Sequence, residues 1–309
     1  MPKFIDVTEG LYKYLNYEGA EKTLENCAVK FSSPIVLNDP FDISIGDILG
    51  LEIKEFMQSL PAEFFNFLLN DFDYRNLTSK LKDRKDQIII LNQLLKPLPD
   101  DYKKELFAEF IKNPIENRDD WDRLIKITQG IVTEIQKVFN SYGIFCSSKT
   151  KDSTLMWSHY GNHHEGVVLK FQPDIKKDSF FLASKSINYS QARPVFYKSS
   201  KDLLQSYLTN EPPIDTMIEK IIFTKSLDWA YEMEYRIAIP DLIPNGKKYV
   251  TLNFNPKELS AIYFGSRMID EKKNRLILLA KKLNPGVEFY QASMAKREYA
   301  LEWVPQFSL

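Results

Sequence analysis

The chain of 309 residues has two cysteines, Cys27 and Cys146, and these are too few for a disulfide framework. A reducing compartment suits such a chain, and the cytoplasm is the expected location. The N-terminus, MPKFIDVTEG, has no apolar run of leader length. No later stretch approaches a membrane span either, so no membrane partner is expected. With only 11 glycines there is no P-loop, no dinucleotide fingerprint and no nucleophile elbow. C-x-x-C pairs are absent too. Charge of one sign is lacking as well: 41 basic residues face 42 acidic ones, for a formal net charge of −1. That balance gives no strong nonspecific pull toward nucleic acid, although a local basic groove stays compatible with it. Chemistry must therefore come from side chains carried on strands.

What is present is ordinary globular composition, 44% hydrophobic and 27% charged. The pattern predicts an α+β protein of one domain over residues 1–309. Its strand-rich core comes from about 8–48 and 143–309, with a large helical insertion at about 51–140. In the first block LYKYL reads as a strand, Gly19–Cys27 as a helix, and KFSSPIVLNDPFD as strand, turn and loop punctuated by Pro34, Asn38, Asp39 and Pro40. In the insertion, Leu106, Phe107, Phe110 and Ile111 follow a capped start at Pro99-Asp100-Asp101. Residues 119–140 carry an apolar stripe from Trp121 to Phe139. Beyond Gly143, residues 165–171 alternate, with Val167, Leu169 and Phe171 on one face. Helices are expected near 215–224 and 270–283, and strands near 261–264 and 287–290.

The segment WAYEMEYRI is the most informative. Read as one strand over residues 229–239, it sets Trp229, Tyr231, Met233, Tyr235, Ile237 and Ile239 on one face and Glu232, Glu234 and Arg236 on the other. Alternate residues lie about 7 Å apart on a strand. Two carboxylates and a guanidinium so placed read as a solvent-exposed ion pair. They read also as a carboxylate pair in a cleft, with Arg236 easing the repulsion.

The second constellation is FCSS followed by LMWSHYGNHH, which holds all three histidines, His159, His163 and His164. Zinc on His159 and His163 would need helical i, i+4 spacing that Gly161-Asn162 interrupts, so no metal is expected. A Cys146–His159 nucleophile pair is a second option. The preferred reading makes Ser147, Ser148, Trp157 and Tyr160 a ring-and-hydroxyl surface for a flat ligand, with a core Trp and Tyr as the alternative. The third constellation is LYKY, where Lys13 between Tyr12 and Tyr14 reads as a phosphate partner or as an edge-strand lysine.

Taken in order, LYKYL, FSSPIVLNDPFD, LMWSHYGNHHEGVVLKF and WAYEMEYRI resemble the signature blocks of the bacterial domain of unknown function 2971. The order of motifs is also similar to the three-part NAD site of ADP-ribosyltransferases. In that family an early strand supplies His or Arg, a middle segment Tyr or Ser, and a late strand the catalytic Glu. The resemblance implies a split-sheet fold and NAD as substrate, with no metal. It assigns Glu234, Glu232 and Tyr160 to catalysis and Tyr12, Lys13, Ser147, Ser148, Trp157 and Arg236 to NAD. Lys13 departs from the family's usual residue. A toxin or antiviral defence role follows from the same resemblance, with an acceptor that is protein or nucleic acid and an inhibitory antitoxin as partner. The rival expectations are a binding module for a nucleotide or peptide, and a metal-independent hydrolase or nuclease using Glu232, Glu234 and Arg236.

Overall fold

The computed structural model describes residues 10–43, 101, 133, 136–173, 193–198 and 221–306. The chain divides into two compact units, one made of Met1–Val36, Tyr142–Tyr197 and Lys225–Leu309, the other of Leu37–Ser141 and Lys198–Thr224. The expected helical insertion falls almost wholly outside the described residues, as does most of the helix expected near 215–224.

The first unit is built on one mixed sheet. Its early strands are β1 (Leu11–Leu15), β2 (Ala28–Ser32), β3 (Gly143–Ser148) and β4 (Val167–Phe171). After β5 (Arg193–Pro194), the chain leaves along β6 (Phe196–Lys198) and returns along β7 (Thr224–Ser226). There follow β8 (Glu234–Ile239), β9 (Tyr249–Asn253), β10 (Leu259–Phe264), β11 (Glu288–Met294) and β12 (Leu301–Pro305). The main path runs β12-β11-β10-β4-β1-β3-β2-β9, with β8 pairing both β3 and β5.

The sheet forks at β3. All six residues of β3 pair with β8, from Gly143 opposite Ile239 to Ser148 opposite Glu234. The other edge of β3 is shared: β1 meets it through Tyr12 and Ser148, and β2 through Ser32 and Ile144. Lys13 sits where the β1 ladder stops, and its Nζ donates to the Cys146 carbonyl at 2.6 Å while lying 5.0 Å from the centroid of the Phe145 ring. A carbonyl that loses its ladder partner in a buried sheet needs another donor. Lys13 supplies one.

Two helices cover one face of the sheet. Helix α1 (Tyr17–Asn26) starts at Asn16, whose side chain accepts from the Gly19 amide, and ends on Cys27 in the left-handed region. Beyond it, the last long helix (Asp270–Leu283) carries Asp270 and Glu271 in its first turn and Lys281 and Lys282 in its last, matching the helix dipole. Its Arg275 bridges Glu21 and Glu25 of α1 at 3.1 and 2.6 Å. Beneath the helices lies a core of Leu11, Leu24, Phe31, Phe145, Leu169, Phe171, Phe264 and Leu276 among others. Val167, Leu169 and Phe171 share this core as the alternation predicts, but Val168 is fully buried as well, in the cluster on the opposite side. Strand β4 is thus buried on both faces, between β1 and β10.

On the opposite face a short helix, α2 (Thr154–His159), is capped by Ser153. It seats Trp157 against Tyr14, with ring centroids 5.4 Å apart, and the Trp157 indole donates to the Lys151 carbonyl at 2.8 Å. In chain order the Asp270–Leu283 helix is α3. After α2 come three consecutive left-handed residues, Asn162, His163 and His164, with φ of 47°, 53° and 69°. Left-handed backbone costs a residue with a Cβ roughly 1–2 kcal/mol. The turn is held by Gly166 donating to the Gly161 carbonyl at 2.8 Å, and by Arg267 donating to the His164 carbonyl at 2.9 Å. Gly265 makes that second contact possible, since a Cβ there would sit 2.1 Å from the His164 carbonyl oxygen. We therefore expect Gly265→Ala to lower unfolding free energy by roughly 1–3 kcal/mol through overpacking. Gly246→Ala, where φ is +79° and nothing lies within 4 Å, should cost only the backbone term of about 1–2 kcal/mol. Denaturant melts of the two variants beside wild type check the order.

Candidate functional site

The site grows from the twelve residues Lys225–Arg236. Lys225 lies on β7. Ser226 then caps a 3-10 helix, Leu227–Glu232, by accepting from the Asp228 amide at 3.4 Å. Met233 follows in the left-handed region with φ 43°, and β8 begins at Glu234. The single strand expected over 229–239 is therefore wrong in its first half. A capped 3-10 turn replaces it, and Met233 stands 51% exposed instead of joining an apolar face. Of the two readings of the segment's polar residues, the solvent-exposed one fails. Glu232, Glu234 and Arg236 are all buried, because β8 lies between β3 and β5 and finds partners for its charges indoors.

Those partners form one network. Arg236 grips Glu234 with two bonds, Nε to Oε1 at 2.7 Å and Nη2 to Oε2 at 2.9 Å. Lys225 Nζ donates to Glu232 Oε2 at 2.7 Å and to Glu234 Oε2 at 3.3 Å, and the Trp229 ring centroid lies 4.7 Å from it. The Tyr160 hydroxyl donates to Glu232 Oε1 at 2.6 Å. The backbone is fixed as well: Ser148 Oγ donates to the Glu232 carbonyl at 2.6 Å, and the Glu234 amide donates to the Tyr197 hydroxyl at 2.7 Å.

These surroundings push the two carboxylates apart. Burial raises Glu234, but Arg236 and Lys225 outweigh it and bring its pKa from 4.5 down to about 2. Burial and the neighbouring Glu234 charge raise Glu232 above the ordinary carboxylate range. Glu234 is a fixed anion, and Glu232 is the member able to exchange a proton. Burial and the Glu234 charge also raise the Cys146 thiol, which removes it as a ready nucleophile, while His159 stacks on Tyr231 at 6.3 Å. Lys13 has its pKa lowered, chiefly by burial.

The sequence-derived residues divide between the two faces. Glu232, Glu234, Arg236, Ser148 and Tyr160 come together. Ser147 does not: it pairs with Tyr235 on the other face of β3 and donates to that residue's carbonyl at 3.1 Å. Trp157 is fully buried in the core, so it offers no surface for a flat ligand to stack on. Tyr12 lies further along the sheet, edge-on to Tyr263 with ring centroids 6.0 Å apart, and Lys13 fills the fork described above. The accessible aromatic row beside Glu232 is made instead of Trp229, Tyr231, exposed His159 and Tyr160, with successive ring centroids 6.1, 6.3 and 6.4 Å apart. Lys225, Trp229 and Tyr231 were missed from the sequence as site residues, whereas Tyr160 was among those expected. The K-S-x-D start of a capped turn was the signal that could have found them. Among the described residues no group of three or more His, Cys, Asp or Glu is arranged to hold a metal, and no helix is long and apolar enough to cross a membrane.

Residues 156–237 match the model of the family described as Protein of unknown function (DUF2971). The DUF2971 match takes in α2, the left-handed turn, Lys225, both carboxylates and Arg236, leaving outside it Lys13 and Cys146. No curated protein and no solved structure matches the chain.

A carboxylate with a depressed pKa stabilises the fold above its unfolded value, and that stability is lost as pH falls through the folded one. Glu234 should thus make the DUF2971-matched region acid-sensitive as pH drops from about 4.5 to about 2. Glu234→Gln should melt earlier at neutral pH, with a flatter stability profile across that window. Thermal melts of both proteins at a series of pH values measure it.

Proposed function

We propose that the protein breaks the nicotinamide–ribose bond of NAD and transfers ADP-ribose to an acceptor, with Glu232 as the reacting carboxylate. The observation that carries this reading is adjacency. The early, middle and late motifs, 130 or so residues apart at first, lie on neighbouring strands β1, β3 and β8, and Tyr160 and the Glu232/Glu234 pair meet beside them. In the bond cleavage, the electron pair of the C–N bond departs with nicotinamide and leaves positive charge on the ribose carbon. A carboxylate facing that carbon stabilises it. The acceptor then bonds to the carbon, and its proton passes to a carboxylate whose pKa is raised by burial and the neighbouring charge.

Glu232 suits both tasks better than Glu234. Glu234 faces two cations, Arg236 and Lys225, whereas Glu232 faces Lys225 and the neutral Tyr160 phenol. Glu232 lies under Tyr160 at the end of the aromatic row, where a flat ring has stacking partners. Glu234 becomes the anchor that fixes the two cations, and Tyr160 orients Glu232. A second reading, binding of a nucleotide or peptide without turnover, is favoured by how completely the carboxylate oxygens are satisfied. Such a network serves equally to hold β7, β8 and α2 together.

Nicotinamide release by purified protein separates the two. Glu232→Gln is expected to lose a factor of ~10²–10³ in rate and Tyr160→Phe a smaller factor, each compared with wild type at a temperature where both are folded, since loss of a buried partner also lowers the melting temperature. Glu234→Gln should act mainly through its lower melting temperature. Wild-type protein that releases no nicotinamide overturns the transfer reading in favour of binding.

A further inference from the structure

We propose that Lys225 is the positioning residue of this site, holding the Glu232 carboxylate in place beneath Tyr160 and separating it from Glu234. The role rests on the transfer reading above for its purpose, though not for its geometry. Two carboxylates two residues apart, both at most 4% exposed, repel strongly unless a cation stands between them. Lys225 stands there. Its ammonium reaches Glu232 at 2.7 Å and Glu234 at 3.3 Å, so the shorter bond goes to the carboxylate that Arg236 does not hold. Lys225 pairs with Glu232 at 2.7 Å, whereas Glu234 is also held by Arg236 through two bonds.

The placement is local in origin. Ser226 caps the turn that brings Trp229 over the ammonium and returns Glu232 to it seven residues later. Trp229 keeps water from the ammonium, which strengthens the pairing, and its ring face attracts the cation directly. Lysine suits this position because three donors on one nitrogen can serve two carboxylates at once.

The titratable and charged groups facing the pair come from every neighbouring element: Lys13 on β1, Cys146 on β3, Tyr160 after α2, Tyr197 on β6, Tyr231 on the 3-10 turn and Arg236 on β8. Arg236 answers Glu234, and Tyr160 donates to Glu232 without charge. Removing the Lys225 charge leaves Glu232 to face Glu234 with burial unrelieved, and its proton should then be held to higher pH.

The test follows the Glu232 side-chain carboxyl carbon by NMR against pH, assigned through its loss in Glu232→Gln. In Lys225→Gln, which keeps a donor but no charge, the Glu232 midpoint should rise by at least one pH unit, and Lys225→Arg should recover part of it. An unchanged midpoint in Lys225→Gln overturns the proposal, because a residue that merely braced β7 would move stability and not this titration. Should Lys225→Gln fail to fold, wild type alone decides. Its Lys225 ammonium nitrogen resonance should shift with the Glu232 midpoint, and a resonance indifferent to it overturns the proposal. These readouts need no turnover, so an absence of nicotinamide release bears on the transfer reading alone. With turnover, the acid limb of the rate profile should move with the same midpoint.

Discussion

Two like charges buried two residues apart are the constraint around which this part of the chain is arranged. A buried carboxylate pair without cations would take up a proton or come apart. The chain answers with Arg236 on the same strand and Lys225 on the preceding one, and the 3-10 turn between them exists to bring the second cation within reach. Ser148, Tyr160 and Tyr197, from three other segments, then close on the same few atoms. Lost polar partners are costly in such a place, so the network ties β3, β7, β8 and the end of α2 into one cooperative piece.

Division of labour follows from unequal pairing. Glu234 receives a fork of parallel bonds and keeps its charge down to acid pH, while Glu232 shares one ammonium and one phenol. One position is electrostatically spent and the other is poised. Chemically identical side chains are thus distinguished by their surroundings, and Glu232 is the one with the fewer charged partners.

Much of the framework was legible beforehand. The Val167–Phe171 strand and the Asp270–Leu283 helix appear where β patterning and 3.6-residue periodicity put them, although Val168 is buried on the second face of the strand, which strict alternation does not give. The WAYEMEYRI segment misled for a definable reason. Its period of two is real in Glu234–Ile239, but the same period extends by accident into Trp229–Glu232, where the Ser226 cap and the Leu227 and Asp228 positions favour a tight turn. Trp157 misled in another way, since periodicity does not tell a buried indole from an exposed one. Pairing of Ser147 or Ser148 with the site depends on register alone, and a shift of one residue moves a side chain to the other face. The contribution of Lys225 needs the third dimension: the K-S-x-D start marks a capped turn, but not which glutamate the lysine seven residues earlier will meet.

The left-handed turn at Asn162–His164 ties the reach of Tyr160 to a part of the sheet well removed from it. Gly265 and Arg267, between β10 and α3, accept the turn by backbone contact, with Gly265 donating to Gly166 and Arg267 to His164. Because main chain rests on main chain there, no rotamer change can absorb a displacement. The stretch of main chain that follows Tyr160 is thus pinned by the β10–α3 junction, so the backbone leading to the phenol over Glu232 has fixed points on both sides of the turn.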